Sequence, residues 1–197
     1  MNLEIEKIKS SASYLVKNIG DLHMTKFLKL MYYLDFISVL ETGHPVTNDT
    51  YYHLPYGPVP TFIKDNITSL KDDIKKEQEE IIKDDSGSSF DQVTIFKDIF
   101  DLTKQGDTYK IVAKVDPDLT HLSPYEIGLL EDIVKEFKTK TARQLVEKTH
   151  SEAPYMQTSM LDVIDYKLAF HLNRATILPS RTYLFSPEVS QAEYFNG

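Results

Sequence analysis

A chain of 197 residues without a cysteine cannot use disulfides, thiol nucleophiles or cysteine-held zinc, and it is long enough to bury a core without such staples. Its 30 acidic and 22 basic side chains give a net charge of -8, which argues against a general affinity for nucleic acid, since that affinity comes from neutralising phosphates with Lys and Arg, and favours a basic partner. The N-terminal MNLEIEKIKSSASYLVK breaks its apolar residues with charges and lacks the run of a signal peptide or membrane span, so a cytoplasmic protein with no membrane partner is expected.

Ile5, Ile8, Ala12, Leu15 and Ile19 recur at intervals of three and four, which predicts an amphipathic helix with Glu and Lys on its other face. Asp21 stands where an N-cap belongs, ahead of Leu22 to Leu40, a segment apolar almost all the way round and therefore predicted to be the central, buried helix. Gly43, followed by His44-Pro45, ends it. The stretch YYHLPYGPVP, Tyr51 to Pro60, then gathers three tyrosines and three prolines. Proline fixes its own φ and restricts the residue before it, so this corner is stiff. It reads either as a rigid turn that aims one helix away from another or as a fixed aromatic surface offered to a partner.

Phe62, Ile63, Ile67, Leu70 and Ile74 predict a helix running into the solvated charge run KDDIKKEQEEIIKDD, with a break at Ser86 to Ser89. Val93, Ile95 and Phe96, then Tyr109, Ile111, Ala113 and Val115, flank a Lys-Gln-Gly-Asp turn and predict a β-hairpin, the one piece of sheet expected. Ser123-Pro124-Tyr125-Glu126 combines a capping serine, a proline at the first helical position and a Glu at the third; Thr141 and Gln144 make a second such start for a short helix ending at Thr149-His150. Leu161, Ile164, Leu168 and Leu172 predict a last amphipathic helix, and the remainder has little periodicity. The fold class expected is mainly α: a compact helical domain with a central buried helix and one β-hairpin, α+β at the margin.

No His-Glu-x-x-His, phosphate loop or Gly-x-Ser-x-Gly elbow occurs, so no catalytic site, cofactor or metal is expected. Sequence alone leaves open a metal site assembled from His53, His121 and His150. Asp35 falls in the apolar arc of the central helix, between Leu28, Met24 and Met31 and away from the polar strip of Thr25, Lys26 and Lys29. A carboxylate there must be hydrogen-bonded or paired. It is read as structural, receiving donors near the Tyr56-Gly57-Pro58 corner, with a general base working beside a histidine such as His150 as the alternative. Pro124 to Phe137 and Ala142 to His150 also have the outline of a helix-turn-helix, but Arg143 and Lys148 are the only cations on the second helix, and plain packing is the better account.

Taken together, three stretches resemble a known family. LKLMYYLDFISVLETGHPVTNDTYYHLPYGPVP, Leu28 to Pro60, is similar to the signature of the Panacea domain, the SocA-like antitoxin family: a helix with a Tyr-x-x-Asp core, a Thr-Gly-x-Pro loop and a Gly-Pro-Val-Pro corner. LSPYEIGLLEDIVKEF and TARQLVEKTHSEAPY resemble its second half, which ends in Thr-His and a Pro-aromatic pair. Asn48-Asp49 stands where Gly-Asp is usual, and Tyr155 where tryptophan is. The resemblance covers most of residues 1–172, leaving 173–197 as a C-terminal tail, and it marks Asp35, Gly43, Pro55, Gly57, Pro58 and His150 as a structural signature.

The resemblance implies a non-enzymatic antitoxin of bacterial or phage type that binds a cognate protein toxin and silences it. The alternatives are a DNA-binding autoregulator using the helix-turn-helix-like pair and an adaptor that delivers the toxin to a protease. Tyr51, Tyr52, His53 and Tyr56 are the first candidates for the partner surface, because stiff aromatics bring contact area at low entropic cost. Tyr183 and Phe185 of the tail are the second.

Overall fold

The computed structural model describes residues 2–80, 94–179 and 181. Helix α1, Leu3–Ile19, is capped by the Asn2 side chain and buries Ile8, Ala12, Leu15, Val16 and Ile19, as its spacing predicts. The central helix, α2, is Met24–Thr42, and everything from Lys26 to Glu41 in it is buried. Asp21 does not cap it. Leu22 and His23 form a short strand, β1, paired with Ile111 and Lys110, so their backbone is committed to a sheet and the helix starts only after them. Gly43 ends α2 in the left-handed region, φ 80, with its N–H bonded to the Val39 carbonyl.

The tyrosine-proline corner is itself a hairpin. Strands β2, Tyr51–Leu54, and β3, Gly57–Pro60, pair antiparallel around Pro55-Tyr56, so the single hairpin expected is one of two sheets. Proline lacks an N–H and counts against a strand interior, but β3 has no further strand beyond it, and Pro58 and Pro60 sit on that edge. Helix α3, Thr61–Glu80, follows directly. It continues, as expected, into the charge run as far as Glu80; the rest of the run, 81–85, and the break at 86–89 lie outside the described residues.

The second hairpin is β4, Phe100–Gln105, and β5, Thr108–Ala113, which with β1 makes a three-stranded sheet in the order β1-β5-β4. The expectation placed its first strand too early. Ile95 and Phe96 lie in a turn that drives Phe96 into the core, so burial rather than pairing makes them apolar; Val93 is outside the described residues. Both predicted helix starts are formed: α4, Pro124–Phe137, and α5, Ala142–His150, each open with a reciprocal capping box.

A short α6, Ala153–Met156, a 3-10 helix, Tyr166–His171, and α7, Arg174–Ile177, complete the described chain. The last predicted amphipathic helix is not one. Residues 161–164 lie along β2, with Leu161 N–H on the His53 carbonyl, His53 N–H on that of Asp162 and Ile164 N–H on that of Tyr51. Backbone donors used in that pairing cannot close helical turns. The result is mainly α with a small β component, and α2 is the axis on which α3, α4, α5 and the 3-10 helix pack. Ile177 and Leu178, beyond Leu172, belong to the same core cluster.

Candidate functional site

Three polar anchors hold the corner, and each pairs a buried charged group with backbone. Asp35 is 0 % exposed. Its carboxylate accepts the N–H groups of Val46 (2.9 Å) and Thr47 (2.8 Å) and the Thr47 hydroxyl, and lies within hydrogen-bonding distance of the Tyr51 (2.9 Å) and Tyr166 (3.2 Å) hydroxyls. Burial pushes its carboxyl above the usual range, and these donors oppose the shift. Its donors come from the loop after α2, from Tyr51 and from Tyr166, and not from Tyr56-Gly57-Pro58. Six residues along a helix are about 9 Å, and the corner meets α2 that much earlier, at Lys29.

Lys29 is 1 % exposed, donates from Nζ to the Pro58 carbonyl at 2.6 Å and is driven down to about 7 by burial. A Cβ on Gly57, whose φ is 97, would come within 2.7 Å of the Thr149 hydroxyl and 2.9 Å of Lys29 Nζ. Glycine is therefore required twice over, for conformation and for space. Asp49 is the third anchor: its carboxylate receives the N–H groups of Phe62 (3.0 Å) and Ile63 (2.9 Å) at the start of α3 and that of Thr50 (2.6 Å). Asn48 before it has φ 58, the conformation that glycine adopts freely and asparagine tolerates.

Against these anchors the second half of the chain supplies a stack. Tyr155 lies between His53 and His150, with ring centroids 3.6 and 4.2 Å away and interplanar angles of 26° and 6°. The Tyr155 hydroxyl donates to the Leu54 carbonyl (3.1 Å), and His53 Nδ1 is 3.0 Å from the Thr158 hydroxyl. A flat aromatic ring is what this slot needs. Burial, then Lys29 and His53, lower the pKa of His150. Beneath the stack Glu152 accepts from the Tyr32 (3.1 Å) and Tyr33 (3.2 Å) hydroxyls and is pushed up to about 7 by burial.

Of the predicted partner residues, Tyr51 is 1 % and His53 8 % exposed, and both are tied inward; Tyr52 is half-buried and Tyr56 is 71 % exposed at the hairpin tip. Tyr183 and Phe185 lie outside the described residues. A groove of about 250 Å³ runs beside the tip, lined by Leu28, Leu54, Pro55, Tyr56 and Val59 with Lys29 at its edge. Sequence reasoning missed Lys29, Glu152, Asp49 and Tyr166. Only Asn48, an αL-tolerant residue beside an aspartate, hinted at the last turn before α3.

The alternative chemistries find little here. Asp35 is sealed and its oxygens are occupied. His53 and His150 meet only across Tyr155, and among the described residues no three of His, Asp or Glu gather as metal ligands would. On α5, Leu145 and Thr149 are buried, Arg143 is paired with Glu147 (2.8 Å) and Lys148 with Glu152 (3.5 Å).

Residues 27–155 match the family described as antitoxin SocA-like, Panacea domain, and thus span all three anchors of the corner, while Thr158, the 161–164 segment and Tyr166 lie beyond the match. The chain belongs to this family. No curated protein and no solved structure matches it. The residues that the sequence resemblance marks each have a structural role in this Panacea domain: Asp35, Gly43, Gly57 and Pro58 set the path of the chain, Pro55 lies in the turn, and His150 closes the stack.

Proposed function

We propose that this Panacea domain is the antitoxin of a toxin–antitoxin pair and neutralises one cognate protein toxin in the cytoplasm by direct contact. The observation that carries the reading is the hairpin corner: a tip with Tyr56 in solvent, on a base fixed by buried bonds to Asp35, Lys29 and Asp49. Such a tip loses little entropy on binding and offers an aromatic anchor beside an apolar groove. Tyr51 and His53 support it from behind, and Tyr52 and Tyr56 make the contact. The acidic balance of the chain suits a basic toxin surface. The paired cations of α5 speak against a DNA-reading helix.

Co-expression with the protein encoded beside it tests the reading. The neighbour alone should arrest growth, the pair should grow, and Tyr56→Ala should neutralise less while melting as the parent does. A neighbour without toxicity, or toxicity the parent leaves untouched, overturns the proposal. Neutralisation that disappears in a protease-deficient host would replace direct silencing with delivery for degradation.

A further inference from the structure

Of the large apolar side chains exposed on the described residues, Met156, Met160, Leu161 and Val163 fall within one short stretch. That stretch is fastened to the corner. Val163 is the antiparallel partner of Tyr52, so their side chains share one face of the small sheet. Leu161 is 69 % exposed and holds φ 71, in the left-handed region that leucine rarely enters. Its N–H is bonded to the His53 carbonyl, while Asp162 accepts the Ser159 N–H at 2.9 Å and closes the turn. A strained, solvent-facing leucine is not explained by packing, and strain of this kind collects where a surface is used. Between Met156 and Tyr166 the sequence has no Lys or Arg, and the charges beside the apolar residues are those of Asp162 and Asp165, both exposed.

We infer that Met156, Met160, Leu161 and Val163 continue the partner surface beyond Tyr56 and Tyr52, and that this strip docks an apolar patch of the toxin rimmed by Lys or Arg. The inference rests on the antitoxin reading above. An apolar centre gives affinity through burial, and a rim of one sign fixes orientation and speeds encounter.

The test uses the full chain and the protein encoded beside it. Leu161→Asn combined with Met160→Ser removes the apolar groups, and asparagine accepts the left-handed backbone, so the melting temperature should hold or rise. Affinity for the neighbour should fall at least tenfold, and neutralisation with it. Val112→Thr, on the other sheet, should change neither. If the double variant fails to fold, Met156→Ser, at an exposed position of α6, carries the same comparison. Unchanged affinity in a folded variant overturns the inference and leaves the antitoxin reading standing; so does a variant that alters only self-association of the parent. A parent that does not bind the neighbour at all overturns both.

Discussion

At the scale of single residues, Lys29 and Glu152 make the corner sensitive to pH in opposite directions. Lys29 titrates near 7 in the folded chain against 10.5 ordinarily, so between those values the unfolded chain holds more protons and stability rises with pH. Glu152 titrates near 7 against 4.5, so between 4.5 and 7 the folded chain holds more protons and stability falls as pH rises. Together they place a minimum near neutrality. Lys29→Met should flatten the rise above pH 7 and Glu152→Gln the fall below it, read as urea midpoints against those of the parent across a pH series. Asp35→Ala leaves buried donors from Val46 and Thr47 without an acceptor and should lower stability by about 1–3 kcal/mol; an unchanged melting temperature would contradict its role as anchor. The apolar arc of α2 predicts that Asp35 is buried. Nothing local predicts the same of Lys29, because helix periodicity assigns a lysine to solvent unless the residues above it are known, and Gly57 and Pro58 arrive from a different element.

Among the elements, legibility follows the range of the interactions. The capping boxes at Ser123 and Thr141 and the glycine end of α2 are read correctly because their partners lie three or four residues away. The start of α2 and the 161–164 segment are misread because their backbones are claimed by distant strands, whereas the β2–β3 hairpin is local and is hidden by its prolines, which count against strands except at an edge. Gly57→Ala should damage the corner from inside one element. Its Cβ meets Lys29 and Thr149 at once, so loss of neutralisation is expected together with a lowered melting temperature, in contrast to Tyr56→Ala, which should affect binding alone.

For the whole molecule, the boundary at Leu172 and the tail can be tested by truncation. Ending the chain after Leu172 removes Ile177 and Leu178 from the core and Arg181 from its bonds to Glu41 (2.8 Å) and Asp132 (2.5 Å). Burial of this kind is worth at least about 2 kcal/mol per side chain, so this truncation should melt well below the parent. Ending the chain after Arg181 should not. If the two melt alike, the core stops at Leu172.

The Asp35 anchor also imposes an order on the making of the protein. Tyr166 lies 131 positions beyond the carboxylate it approaches, and Tyr155 and the 161–164 segment likewise belong to the last part of the chain. At about 5–20 residues per second a ribosome needs roughly 7–26 s to cover that distance. From the completion of Pro60 until Tyr155 and then residues 161–164 are made, the hairpin exists without the ring that fills its stack or the strand that flanks it. On the proposed antitoxin function, a chain ended before Tyr155 should fail to neutralise the neighbouring protein, because neither the ring of the stack nor the flanking strand has been made.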